Sequence, residues 1–458
     1  MLRDTICAIS TPLGKSGIGI VRMSGPQSFD ILSKVFVPKK KKDLKKAKSH
    51  TIHYGFIRDP QNLKIIDEVL VFLMKAPYTY TTEDVVEISC HGGLVPLKET
   101  LSLLIREGAR LALPGEFTMR AFLNGRIDLT QAEAVLDVIY ARTPQSLEIS
   151  INQLQGKERK FLESLRERLL NTLTHLEAVV EFPEDEIDTI DFNKLREDVH
   201  KILTEITQVL KSSEEGLIFK EGLNVVIAGR TNVGKSSLLN CLLASERAIV
   251  SPLEGTTRDI LKEEANIKGV PLNLFDTAGI ITPRDLVEKE ALKRTQEAIK
   301  KANLILLVVD ISQELTDKDL FLIEKLKDLP VILVINKIDL PPKANLKFLK
   351  ERFKEYVFVS CLKKEGIEEL KEKMIDFLFK GNFVEPEKII VSNKRHTELL
   401  EKAKISLENF LKDLQSGFSI DFLMLHLKEA VTQIDKITGK IYSEELLENI
   451  FSRFCIGK

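Results

Sequence analysis

A phosphate ligand needs converging N–H donors and a nearby cation, and residues 229 to 237 supply both in one stretch. In Gly229-Arg-Thr-Asn232-Val233-Gly234-Lys235-Ser236-Ser237 the glycines let backbone amides close around an anion. Lys235 can neutralise charge on β- and γ-phosphates, which makes it a catalytic candidate, and the Ser236 hydroxyl can ligate Mg²⁺. Further along, Asp276-Thr277-Ala278-Gly279 puts a carboxylate where it can reach the Mg²⁺ shell and a glycine amide where it can sense a γ-phosphate. Asn336-Lys337-Ile338-Asp339 adds a carboxylate that can accept two hydrogen bonds from the guanine N1 and exocyclic amine, donors that adenine lacks. Ser360-Cys361-Leu362 follows the last apolar run, where proteins with such motifs place a loop over the base. Together these residues describe a site for GTP and Mg²⁺.

Each motif has to be held at a strand end. Five short apolar runs, Leu223 to Ala228, Leu272 to Phe275, Leu304 to Val309, Val331 to Ile335 and Val357 to Val359, alternate with helical stretches, the pattern of a mostly parallel α/β sheet. Upstream, Thr5 to Ile9, Gly19 to Met23, Val69 to Leu73 and Val85 to Ser89 read as strands broken by Gly and Pro. From about residue 120 the periodicity is helical. Thr130-Gln-Ala-Glu133 reads as a capping box before the apolar stripe Ala134, Val135, Val138 and Ile139. A helix covers Phe161 to Val180, Pro183 interrupts the pattern, another helix runs to about Leu210, and helical periodicity returns after Pro386. The expected fold class is multidomain α+β and α/β. It comprises an N-terminal α+β domain at 1–119, a helical domain at 120–216 and 381–458, and a Ras-like P-loop GTPase domain at 217–380 inserted between the helical halves.

Composition narrows the function classes. The 458 residues exceed what one core holds, and 43% hydrophobic with 29% charged residues is a globular balance without an apolar run long enough for a membrane span. The start carries no secretory pattern, so a cytoplasmic protein is expected. Cys7, Cys90, Cys241, Cys361 and Cys455 are too scattered for a disulfide framework or a zinc site. A formal net charge of −1 gives no global pull on a phosphate backbone. The lysine-rich run from Lys39 to Lys48 reads as a solvated loop, and His91 in His91-Gly-Gly93 as a turn residue.

The motif set resembles the translation-factor-related, TrmE-Era-EngA-YihA-Septin-like class of small GTPases over residues 217 to 380. That resemblance makes Thr257, in Gly255-Thr256-Thr257-Arg-Asp259, a second Mg²⁺ ligand, and adds Ser251 and Thr256 to the nucleotide-binding set. After Gly279 stands Ile280, not the glutamine that orients the attacking water in Ras-like proteins, so hydrolysis must be arranged differently.

Over the whole chain, Pro114-Gly-Glu-Phe-Thr118, Arg120-Ala-Phe-Leu-Asn124-Gly-Arg126 and the ending Phe454-Cys455-Ile-Gly-Lys458 resemble the MnmE (TrmE) family of tRNA-modification GTPases. The resemblance implies a homodimer that works with an MnmG-like flavoprotein carrying FAD and NADH. Their product would be a carboxymethylaminomethyl or aminomethyl group at C5 of the wobble uridine of certain tRNAs. The one-carbon unit would come from a bound tetrahydrofolate, as the 5,10-methylene or 5-formyl form. It implies K⁺ held by Asn232, Ser251, Leu253 and Thr256 in place of an arginine finger, and Glu288 as the residue that orients water. It further implies a folate site of Arg22, Glu87, Arg126 and Lys458, with Arg126 where many relatives carry Lys, and a part for Cys455 in the modification chemistry. Two other readings stay open at this stage. One is a ribosome-assembly or signalling switch without modification chemistry. The other is a folate-binding scaffold with vestigial GTPase activity, against which Lys235, Ser236, Thr257 and Asp276 argue.

Overall fold

The computed structural model describes residues 4–40, 43–181, 191–244, 262–276, 299–379 and 388–458. The chain forms two compact units, one of Met1–Leu136 with Ile434–Lys458 and one of Asp137–Gln433. The mixed α+β and α/β class read from the sequence is the class observed.

The first unit is built on a seven-stranded sheet of β1 (Ile6–Ile9), β2 (Ile18–Ser24), β3 (Phe36–Pro38), β4 (Thr51–Arg58), β5 (Ile65–Met74), β6 (Val85–His91) and β7 (Arg110–Leu111), in the order β3-β4-β5-β6-β2-β1-β7. All neighbours are antiparallel except β1 and β7. One face packs on the helices Ser28–Val35 and Leu94–Arg106 through Val21, Val71, Ile88, Leu32, Leu97 and Leu104. The other face carries Arg22 and Glu87 as a cross-strand pair in register. β4 escaped the sequence reading because its buried positions are His53, Gly55 and Ile57 while Ile52 and Tyr54 are exposed, which inverts the polarity expected of a strand.

The helix Leu129–Tyr140 begins before the expected box. Asp128 is its cap: its carboxylate accepts from the Gln131 amide at 2.9 Å and from the Thr130 hydroxyl at 2.7 Å, and Gln131 Oε1 accepts from the Asp128 amide. Of the expected stripe, Ala134 and Val135 are buried and Ile139 is exposed.

The second unit holds a six-stranded sheet of β8 (Leu223–Ala228), β9 (Lys262–Ile267), β10 (Val270–Asp276), β11 (Leu304–Asp310), β12 (Val331–Asn336) and β13 (Tyr356–Val359), in the order β13-β12-β11-β8-β10-β9. Only β9 runs antiparallel to its neighbour. The helices Lys235–Ala244 and Ile367–Phe379 cover one face, and Asp317–Leu326 and Leu346–Arg352 the other. β11 and β12 are buried on both faces, which is why they read as unbroken apolar runs. β9, Lys262-Glu-Glu-Ala-Asn-Ile267, is a charged edge strand and was not anticipated. The helix Phe192–Glu221 runs well past the expected end near Leu210, because Val209, Leu210, Ser213, Gly216 and Phe219 continue its buried face. Among the described residues no helix is long and apolar enough to cross a membrane.

Candidate active site

Between β8 and the helix Lys235–Ala244 the backbone turns sharply, with Asn232 at φ +65° and Gly234 at φ +101°. A Cβ on Gly234 would lie 2.2 Å from the Asn336 side-chain nitrogen, so the end of β12 presses on the loop and leaves room for glycine alone. Val233 is fully buried and anchors the loop, whereas Ser236 and Ser237 are exposed on the first helical turn. The positive dipole end of that turn favours an anion. Lys235 Nζ donates to the carbonyls of Gly229 at 3.0 Å and Arg230 at 2.8 Å, which holds the ammonium over the loop. Thr231, Asn232, Gly234, Lys235, Ser236, Ser237 and Lys337 line a cleft of about 480 Å³, a size that suits a small-molecule ligand.

Two side chains from the end of β12 join this loop. Asn336 Nδ2 donates to Val233 O at 2.9 Å, and its Oδ1 accepts from the amides of Lys337 and Cys361. Lys337, at φ +66°, donates to Asn232 O at 3.0 Å and to Asp310 Oδ2 at 2.6 Å. Burial works to raise the Asp310 carboxyl, but hydrogen bonds from Lys337 and Ser312 outweigh it and hold the group below its ordinary range. The buried Ser360 donates to Asp339 Oδ1 at 2.6 Å, which lowers the Asp339 carboxyl. Asp339 is thus an oriented, ionised carboxylate that can accept from N–H donors. The isolated bridge Ser360↔Glu365 fixes the turn that carries Ser360.

In the first unit the chain ending folds back onto the sheet. Pro114 pairs with Ile456, Phe117 N donates to Lys458 O at 3.1 Å, and Gly457 O accepts from Ser10 Oγ at 3.1 Å and from Arg22 at 3.2 Å. Gly457 sits at φ +97°, and a Cβ there would lie 2.5 Å from Ile9 O. Arg22 Nε donates to Glu87 Oε1 at 2.7 Å. The Arg22 guanidinium lies 5.7 Å from the centre of the Tyr80 ring and 5.6 Å from that of Phe117, and the Arg126 guanidinium lies 4.6 Å from the Tyr80 ring. Burial, with the Arg22 charge nearby, pushes the Lys458 ammonium below its usual range. Arg22, Glu87 and Lys458 therefore come together, with Arg126 joined through Tyr80. Cys455 is exposed.

Two family descriptions match the chain: "MnmE helical domain" over residues 129–455 and "GTP-binding protein TrmE N-terminus" over residues 5–126. The chain belongs to the MnmE family. The protein named tRNA modification GTPase MnmE from Thermoanaerobacter pseudethanolicus is 46% identical over 460 residues, covering 100% of both chains. Its namesake from Bacillus subtilis is 43% identical over 458 residues, covering 99% of this chain and 100% of its own. Among solved structures, an Era variant from Aquifex aeolicus bound to GDP and aluminium fluoride is 30% identical over 40% of this chain and 66% of its own, with a TM-score of 0.29, too low to bear on the fold.

Of the site residues expected from the sequence, Ser251, Leu253, Thr256, Thr257, Thr277, Ala278, Gly279 and Glu288 lie outside the described residues. The backbone of Asp276 ends β10, opposite Ile227 of β8. Sequence reasoning missed Asp310, Tyr80, Phe117 and Ser10. A strand-terminal aspartate such as Asp310 carries no signature until Lys337 is seen to bond it, and an aromatic in a turn, such as Tyr80, has no period to betray it. His91 ends β6, its ring bonded to Asp67 at 2.6 Å.

Proposed function

We propose that this chain is a GTP hydrolase acting in tRNA modification, with residues 232–237 at the phosphates and Asn336, Lys337, Asp339 and Ser360 at the guanine. The carrying observation is that the two stretches are tied together: the Asn336 and Lys337 side chains bond directly to the carbonyls of Val233 and Asn232. Donors and an ammonium therefore lie on one stretch and an oriented carboxylate on the other. In this reading Lys235 leaves its loop carbonyls for the β- and γ-oxygens, exchanging neutral acceptors for anionic ones, which make stronger hydrogen bonds. Ser236, exposed on the first helical turn, offers a hydroxyl oxygen to a hard cation, and with Thr257 it would hold Mg²⁺. Bound there, Mg²⁺ supplies positive charge at the transferring phosphoryl group. Asp276, Thr277, Ala278 and Gly279 would follow the γ-phosphate, and Glu288 would orient the attacking water.

Asn232, exposed at the rim of the cleft in a left-handed conformation, would hold K⁺ with Ser251, Leu253 and Thr256, giving the site positive charge without an arginine finger. In the first unit, the cations Arg22 and Lys458 beside the Glu87 carboxylate, with Arg126 over the Tyr80 ring, suit a ligand with both carboxylates and N–H donors. Arg22, Glu87, Arg126 and Lys458 would bind a 5,10-methylene- or 5-formyltetrahydrofolate, which supplies a one-carbon unit. We assign the full reaction to a cytoplasmic homodimer with an MnmG-like flavoprotein carrying FAD and NADH. It acts at C5 of the wobble uridine of certain tRNAs, with Cys455 taking part in the modification. The GTPase domain, 217–380, is an insertion between helical halves at 120–216 and 381–458, after the N-terminal domain at 1–119.

The test is GTP turnover by the full chain in K⁺ and in Na⁺ at equal ionic strength, with Asn232→Ala alongside. Stimulation by K⁺ that the variant loses supports the reading. Equal rates in both salts remove the cation assignment, and absence of turnover in either removes the hydrolase.

A further inference from the structure

The β9–β10 hairpin lies between the two segments that the proposed site assigns to metal and γ-phosphate. β9 starts at Lys262, five residues after Thr257, and β10 ends at Asp276. Its far end is held by the segment around Arg142. Arg142 Nη1 donates to Asn273 Oδ1 at 3.1 Å and lies 3.0 Å from Glu264 Oε1. Glu264 and Asn273 are direct cross-strand partners, so one guanidinium ties both strands together from outside the sheet. The buried Asn273 also donates to Asn224 Oδ1 on β8, at 3.0 Å, and stands three residues, or about 10 Å of strand, from Asp276.

Two further contacts seat the next helix on the same hairpin. The Gln145 side chain lies against the Lys268-Gly269 turn so closely that a Cβ on Gly269 would be 2.2 Å from Gln145 Cδ. Ile149 is buried in one cluster with Ala265, Ile267, Val270 and Leu272. The helix Pro144–Leu154 has a rigid start, with Thr143 and Ser146 forming a buried capping box. A displacement of the hairpin along the sheet therefore reaches the helix through a charge pair, a close side-chain contact and a packed isoleucine. Gln145 Oε1 is buried without a hydrogen-bond partner among the described residues, an acceptor that a shifted turn could satisfy.

We infer that Arg142 is a positioning residue that couples the β9–β10 hairpin to the helix Pro144–Leu154, so that this helix reads which nucleotide occupies the cleft. The inference rests on the GTP-binding reading of that cleft. It assigns Arg142, Glu264 and Gln145 no contact with nucleotide.

Amide hydrogen exchange of the full chain with Mg²⁺ and either GDP or GTPγS tests it. In the wild-type chain the amides of 144–154 should exchange at rates that differ by about fivefold or more between the two nucleotides, the lower end of ordinary coupling between sites. In Arg142→Ala that ratio should fall below about twofold, with the GDP dissociation constant and the melting temperature held near wild type. Arg142→Lys, which keeps the charge but loses the planar fork, should retain part of it. Glu264→Gln should lower the ratio in the same direction, and it serves as the test if Arg142→Ala does not fold. A variant that keeps the full wild-type ratio overturns the inference. So does a wild-type chain that binds both nucleotides and shows no difference in 144–154. A wild-type chain that binds neither overturns the reading of the cleft itself.

Discussion

The two candidate clusters of side chains are built in opposite ways. At the nucleotide cleft the groups sit within short stretches, 232–237 and 336–339, and each stretch lies at the end of a buried parallel strand. In the first unit, Arg22, Glu87, Arg126 and Lys458 come from four places in the chain, and Arg22 bonds a carbonyl 435 positions away. A strand-end loop carries its chemistry in its own sequence, because spacing alone aims the amides and side chains. An assembled face depends on sheet register and on a tail held by the Pro114↔Ile456 bridge and Gly457. Damage to the first kind should cost chemistry with the fold intact, whereas damage to the second should cost local folding and binding together.

The sharpest test of that contrast is Lys235→Ala. It should lower GTP turnover by about a hundredfold to a thousandfold, the cost of losing one preorganised charge at a developing anion. Circular dichroism and melting temperature should stay near wild type. A large drop in melting temperature would mean that the Lys235 bonds to Gly229 and Arg230 hold the loop's fold and would blur the comparison.

Asp339→Asn should be next in size. Exchanging a carboxylate that accepts two guanine donors for an amide should weaken GTP binding by about tenfold to a hundredfold, read by fluorescent-nucleotide titration. Folate binding should not move.

On the assembled face, Gly457→Ala forces a side chain into a left-handed position against Ile9 O and should cost about 1–3 kcal/mol of local stability. Folate affinity and the melting of the first unit should fall together, with GTP turnover unchanged. Unaltered folate affinity would show that the tail does not build that site.

Smaller effects follow from titration. The folded Asp310 carboxyl lies below its ordinary 3.8, so its contribution to stability is complete above that pH and is lost as pH falls through the lowered value. Acid unfolding of the wild-type chain should show this loss, and Asp310→Asn should remove that part of the pH dependence. Lys458 differs in sign. Its lowered value means that burying the ammonium opposes folding at neutral pH, and the penalty is relieved as pH rises towards 10.5. Lys458→Gln should therefore leave the melting temperature equal or slightly higher while weakening folate binding, a separation that no Lys235 variant should produce.

Legibility followed the same division. β8, β11 and β12 were plain because burial on both faces makes a strand a continuous apolar run. β9 was hidden because an edge strand tolerates Lys262, Glu263 and Glu264, and β4 because His53 and Gly55 occupy its inner face. The start of the helix Leu129–Tyr140 was misread by two residues, since Asp128 and Thr130 both offer a capping oxygen and only the backbone decides which is used.

By itself, the amino-acid order determined the glycine-rich loop at 229–237, the stretch at 336–339 and the alternation that sets them at strand ends, because these rest on local spacing and on glycine at one forced turn. The tertiary structure alone decided that Lys337 would bridge Asn232 and Asp310, that Tyr80 would lie near two guanidinium groups, and that Arg142 would clasp Glu264 and Asn273. Those contacts join residues far apart in the chain, and no local periodicity records them. They exist only once sheet register and helix packing have fixed which side chains share a space.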